Sequence, residues 1–148
     1  MKSMKNLASL SKAIRVFRST DEIVQQLNSN PLLNNKNNLA FYNGAINSII
    51  TNKAFMNLWV DDKLIHKGFG IFDTLNIVNF SAYLLNKHLA RFESSAKNLG
   101  LTLPFSLKDI EHIILSLAAC TRLPNLAVRY WCSLGPGSLD TKITVRKN

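Results

Sequence analysis

Two stretches of helical period stand between segments of strand period, and this order constrains the fold of the 148-residue chain more than any other feature. In the first, Leu89, Phe92 and Ala96 share one helical face, Asn86 can cap its start and Gly100 its end. In the second, Ser106 and Asp109 have near-capping-box spacing, and Ile110, Ile113, Ile114, Leu117 and Ala118 form the apolar side. Residues 126–133 then alternate, with Val128, Tyr130 and Cys132 on one face and Arg129, Trp131 and Ser133 on the other, before Gly135-Pro136-Gly137 ends the strand. Upstream, the apolar runs 39–42, 45–50 and 54–60 are broken by Asn43-Gly44 and Asn52-Lys53. They read as hairpin strands, because Asn-Gly favours positive φ. Residues 63–70 read as a Lys/Gly/His loop, 71–78 as a strand, and 82–85 as its partner after a turn at Asn79-Phe80. Strands first, then two helices, then a strand: the expectation is an α+β layer structure, an antiparallel sheet packed with two helices.

The ends differ from this middle. Residues 1–18 lack acids, and Leu7, Leu10, Ile14 and Phe17 line one helical face opposite Lys5, Lys12 and Arg15. Such a start fits an organellar transit peptide, implying mitochondrion or plastid. A plain basic tail, with a cytoplasmic protein, is the alternative. Residues 20–28 read as a short helix, with Ser19 and Glu22 at capping-box spacing, and 28–38 as an Asn-rich linker. The division expected is 1–38 as leader, short helix and linker, 39–140 as one domain, and 141–148 as a basic tail or the start of an interdomain linker.

Charge sharpens that division. The formal net charge is +9. Residues 1–20 contribute five basic residues and no acid, and 141–148 contribute Lys142, Arg146 and Lys147 and no acid. Between them, 21–140 hold ten basic and nine acidic residues. The domain is thus nearly neutral and lacks an aromatic-interleaved basic face, which argues against nucleic acid as a partner. Apolar runs are too short for a transmembrane helix. Cys120 and Cys132 cannot form a disulfide framework or a four-ligand zinc site, and read as reduced core thiols. His66, His88 and His112 lack metal-ligand spacing, and Asp61-Asp62 reads as a solvated turn.

Three residues can carry binding chemistry. Arg91 sits three residues after His88 at the edge of the first helix's buried stripe, where a guanidinium can grip a phosphate bidentately; an ordinary surface arginine is the alternative. Arg129 interrupts an apolar strand and needs either an anionic ligand or an ion pair with Asp73 or Glu93. Phe72, before Asp73 and after Gly68 and Gly70, would by itself be a core residue. The two glycines suggest close backbone packing or a special turn, but with no helix following they are not a dinucleotide fingerprint.

Taken as an ordered set, these pieces resemble a known family. Phe69-Gly70-Ile71-Phe72-Asp73-Thr74 is followed by Lys87-His88-Leu89-Ala90-Arg91-Phe92-Glu93-Ser94-Ser95-Ala96, then Val128-Arg129-Tyr130-Trp131-Cys132-Ser133 and Gly135-Pro136-Gly137. The set is similar to the class-IV pyridoxal-phosphate enzymes, which include D-amino-acid and branched-chain aminotransferases and aminodeoxychorismate lyase. The likeness is greatest to the plant- and alga-type D-amino-acid transaminase-like branch, and it covers roughly residues 20–140.

The resemblance implies a small two-layer N-terminal domain, pyridoxal phosphate as cofactor in the full-length enzyme, an amino-acid or keto-acid substrate, and a homodimer when full length. It implies that Arg91, followed by Ser95-Ala96, binds the cofactor phosphate, that Phe72 lines the substrate site, and that Arg129 clamps a substrate carboxylate. Where other branches carry a carboxylate arginine before the glycine turn, this chain has Leu134, a departure from the D-aminotransferase substrate mode. The family's cofactor lysine belongs to a second domain, and Lys142 and Lys147 lie outside any matching motif. The 148 residues alone are therefore expected to be inactive, with no catalytic residue among them. A lyase and a non-catalytic dimerisation module are the alternatives to an aminotransferase.

Overall fold

The computed structural model describes residues 17, 19–31 and 37–137. Of the expected leader, residues 1–16 and 18 lie outside the described residues, as do part of the Asn-rich linker and the basic tail.

The elements follow in chain order. Helix α1 spans Thr20–Ser29, and strands β1 (Phe41–Asn43) and β2 (Ser48–Ile50) form a hairpin. A 3-10 turn at Lys53–Phe55 and a short helix α2 (Lys63–Lys67) lead into β3 (Gly70–Val78) and β4 (Ser81–Ala82). Helices α3 (Leu85–Leu99) and α4 (Leu107–Thr121) precede β5 (Leu126–Ser133). Among the described residues two sheets result, the β1–β2 hairpin and a three-stranded antiparallel sheet ordered β4-β3-β5. The α+β architecture expected from the order of periodicities is therefore the one observed.

Strand β3 is the axis of the domain. It pairs with β5 from Gly70↔Ser133 to Ile77↔Leu126. Its side chains alternate, so Asp73, Leu75 and Ile77 are buried while Phe72, Asn76 and Val78 are exposed. Helix α3 packs on β3, and α4 on β5 and on α3. Leu75, Ile77, Leu89, Phe92, Ile110, Ile114, Ala118 and Val128 form the core between helices and sheet. Among the described residues, the opposite face of the sheet at Phe72 and Arg129 carries no helix.

Several local expectations are corrected. Residues 54–60 do not form a strand: the Asn52 side chain accepts from Ala54 N at 3.0 Å and starts a 3-10 turn in place of a ladder. Residues 63–67 form a helical turn within the expected loop, because Asp62 caps it by accepting from Leu64 N at 2.8 Å. Asp62 also accepts from Ser133 Oγ at 2.8 Å, so it is a structural anchor and not a solvated turn residue. In the β1–β2 loop the positive φ falls at Asn47 and not at Gly44.

The helix starts differ as well. Ser19 precedes α1 but makes no side-chain capping bond. Helix α3 starts earlier than expected, with Leu84 as cap at φ 53°, so Asn86 lies within the first turn. The reason is the tight return from β4, where Tyr83 N donates to Asn76 O at 2.9 Å and Leu84 O accepts from Lys87 N and His88 N. Ser106 and Asp109 do form the reciprocal capping box expected of them. Cys120 is exposed and Cys132 half-buried, so neither is a fully buried core thiol.

The two glycines before β3 do different work. Gly68 ends α2 at φ 68°, the left-handed conformation that favours glycine. Gly70 is a close approach: a Cβ there would lie 2.7 Å from Leu64 Cδ1 and 3.0 Å from Cys132 O.

Candidate functional site

The three candidate residues converge on the first half of β3 but attach to its opposite faces. Asp73 points toward the helices, and α3 brings His88 and Arg91 to it. Arg91 Nε donates to Asp73 Oδ2 at 2.9 Å, and Arg91 Nη2 donates to Oδ1. His88 Nδ1 lies 3.2 Å from the same Oδ1 and 3.1 Å from Arg91 Nη2, and the Thr74 backbone N–H donates to Oδ1 at 2.6 Å. Spacing explains the cluster, since positions i and i+3 of a helix share a face. The Ser95 hydroxyl sits one turn on and donates to Arg91 O at 2.9 Å.

Electrostatics follow from this geometry. Burial acts to raise the Asp73 carboxyl, but the hydrogen bonds from Arg91, the Thr74 N–H and His88, together with the Arg91 charge, hold it below the usual carboxylate range. The Asp73 side chain is only 4% exposed, whereas that of Arg91 is 64% exposed. One end of the guanidinium is fastened to the buried carboxylate through Nε and Nη2, and the bonds to Asp73 do not use Nη1. A rigid bidentate arginine of this kind suits an anion with several oxygens.

Arg129 and Phe72 meet on the open face. Thr74 opposes Arg129 in the β3–β5 register, and Phe72 opposes Trp131. Arg129 Nε donates to Thr74 Oγ1 at 3.2 Å, and the guanidinium carbon lies 5.7 Å from the Phe72 ring centre. Trp131 stacks on Phe41, with ring centres 5.9 Å apart. Phe72 is 69% exposed, which overturns the reading of it as a core residue. The ion pairs considered for Arg129 are not formed: Asp73 lies on the opposite face of the sheet, where it pairs with Arg91, and Glu93 pairs with Lys97 at 3.0 Å.

Asp73 and Thr74 are not among the site residues expected from sequence, where Asp73 enters only as a possible ion-pair partner of Arg129. Asp73 falls in register with Leu75 and Ile77 on the apolar face, and a carboxylate there demands a cation, so the alternation did carry its signal. Thr74 gave none, because its role depends on the cross-strand register. Tyr130 opposes Asp73 on the same face, packs its ring 4.8 Å from that of Phe92, and has a buried hydroxyl without a partner among the described residues. A shallow cleft of about 300 Å³, lined by Tyr42, Ser48, His112 and Ser116 among others, lies between the β1–β2 hairpin and α4 and includes none of the predicted residues. No group of three or more potential metal ligands occurs among the described residues, and no helix there is long and apolar enough to cross a membrane.

This fold, a helix-backed antiparallel sheet, is shared with aminotransferase structures. The branched-chain aminotransferase from Thermoproteus uzoniensis, solved with norvaline, superposes with a TM-score of 0.58 at 16% identity, over 66% of this chain and 34% of that one. A hypothetical aminotransferase from Mycobacterium tuberculosis, in its PLP-bound form, gives 0.54 at 25% identity, over 62% of this chain and 32% of that one. The profile of the amino-transferase class IV family matches residues 70–147, and the chain belongs to that family. It is 37% identical over 99 residues to the chloroplastic D-amino-acid transaminase of Arabidopsis thaliana, an alignment covering 67% of this chain and 26% of that protein. The chain thus spans about a quarter of the length of the curated relative it matches.

Proposed function

We propose that residues 39–140 are the N-terminal domain of a pyridoxal-phosphate-dependent aminotransferase acting on amino acids and 2-keto acids. The observation that carries this reading is the Arg91 guanidinium, held on two of its nitrogens by buried Asp73 within a class IV family segment. The donor set fits the cofactor's phosphate: Arg91 is oriented and largely exposed, and its bonds to Asp73 do not use Nη1. Bound, pyridoxal phosphate supplies an electron sink for negative charge at the amino acid's α-carbon. On this reading Arg91 holds the phosphate ester, Phe72 walls the substrate position, and Arg129 binds a substrate carboxylate. The family's catalytic lysine is assigned to a second domain, so turnover is proposed for an enzyme that has both domains. The 37% identity to a D-amino-acid transaminase supports amino transfer over the lyase reading.

The test compares pyridoxal 5′-phosphate with pyridoxal in titrations of the 148-residue chain, followed by NMR. The phosphate ester should bind more tightly, and Arg91→Ala should abolish the difference. Equal binding of the two compounds by the parent chain sinks the assignment. Borohydride-reducible adduct formation with amino-acid turnover by these 148 residues alone would refute the need for a second domain.

A further inference from the structure

The two arginines differ in how their charge is met. Arg91 is matched by a buried carboxylate, whereas the hydrogen-bond partner of Arg129 is the neutral hydroxyl of Thr74. Among the described residues no carboxylate pairs with Arg129. Its Nε–H is engaged by Thr74 Oγ1, and the Phe72 ring lies 5.7 Å away to one side. A guanidinium can take a carboxylate through Nε and one Nη or through the two Nη atoms together. With Nε engaged, the pair of Nη atoms is the edge that remains.

We propose that Thr74 is the positioning residue for Arg129, presenting the Nη1/Nη2 edge end-on to a carboxylate whose apolar substituent lies against Phe72 and Trp131. The inference rests on the reading of Arg129 as the carboxylate ligand. All four residues lie on the open face, since directly opposed residues of an antiparallel pair share a side. The preferred ligand class is a monocarboxylate bearing a bulky apolar or aromatic group, because among the described residues the face offers one uncompensated cation, with the Phe72 ring beside it. Thr74 also joins the two arginine clusters, its backbone N–H donating to Asp73 and its side chain accepting from Arg129.

The experiment uses the 148-residue chain with Thr74→Val, Thr74→Ala, Thr74→Ser and Arg129→Gln substitutions. Each is titrated with 3-phenylpropanoate, and with uncharged 3-phenylpropanamide as control, while the Arg129 Nε–H signal is followed by 15N NMR. Thr74→Val and Thr74→Ala should displace that signal and weaken phenylpropanoate binding about fivefold, the loss of one ordinary hydrogen bond. Thr74→Ser should restore both, and amide binding should be indifferent to all four changes. An Nε–H signal unmoved by Thr74→Val and Thr74→Ala, or a carboxylate affinity unmoved by them, overturns the role of Thr74. If Arg129→Gln loses affinity while the Thr74 variants keep it, the carboxylate reading of Arg129 stands and only the positioning role fails. If Arg129→Gln itself keeps full affinity, both fail.

Discussion

Asp73 and Arg91 join the central strand to the helix above it, with Arg91 Nε donating to Asp73 Oδ2 at 2.9 Å and Nη2 donating to Oδ1. A buried carboxylate would be costly without a cation, and an exposed arginine would be conformationally loose without an anchor. Each residue removes the other's difficulty, and the arginine edge left over is held in place at the protein surface.

This pair sets the acid limb of stability. The Asp73 carboxyl is held below its usual range in the folded state, so its contribution is fully present above the unfolded pKa of about 4 and is lost as pH falls through the lower folded value. Unfolding free energy measured between about pH 5 and pH 2 should therefore fall with acidification, and Asp73→Asn should flatten that fall. An identical acid limb in parent and variant would show that Asp73 does not titrate differently in the folded and unfolded chain.

Tyr130 sets an opposite limb. Burial, with the Asp73 charge adding to it, pushes its hydroxyl up to about 12, and Arg91 opposes that shift. The neutral form is thus favoured by folding, so stability is present below the unfolded pKa of about 10 and is lost as pH rises toward the folded value. Tyr130→Phe should remove this component from the alkaline limb. It deletes a buried hydroxyl that has no partner among the described residues, so at neutral pH it should be neutral or stabilising by up to about 1 kcal/mol. A loss of several kcal/mol on chemical denaturation would contradict this account.

The core prediction follows from β3. Leu75 is 1% exposed and sits two residues from Asp73 on the same face. Leu75→Ala should cost about 2–5 kcal/mol, because the sheet–helix seam cannot fully close on the lost volume. Asn76→Ala, on the other face, should stay within about 0.5 kcal/mol. Urea unfolding of both variants checks the contrast, and similar losses at the two positions would mean that the two faces are not buried as described.

What was legible in the sequence divides along the range of the interactions. The periodic helices and the strands β3 and β5 were legible because each buries a continuous face, and a period of about 3.6 or 2 records that burial directly. The capping box at Ser106 and Asp109 was legible because both partners lie within one turn. The start of α3 was not, since Leu84 takes its left-handed φ from the return of β4 and not from any property of leucine. At the site, Arg91 and Arg129 stood out as charges beside apolar patterns. Their actual partners depend on which residues β3 places opposite α3 and β5, and Thr74 in particular has no local signal.

The last prediction concerns the β3–β4 turn. Asn79 and Phe80 both have positive φ, 48° and 60°, the combination required by a two-residue turn that matches the twist of its strands. Asparagine tolerates this conformation, whereas a phenylalanine does so at a cost of roughly 1–2 kcal/mol. The Phe80 ring is 72% exposed, so little apolar burial offsets that cost. The turn's donors are backbone groups that any residue would keep: Phe80 N donates to Pro124 O at 2.9 Å, and Asn79 N to Asn125 Oδ1 at 3.1 Å. Phe80→Gly should therefore stabilise the chain by about 0.5–1 kcal/mol after allowing for the extra freedom of glycine when unfolded, raising the melting temperature by about 2–4 °C. Phe80→Ala keeps a Cβ and should bring no such gain. A melting temperature lowered by the glycine substitution would mean that the exposed ring contributes packing which outweighs its backbone strain.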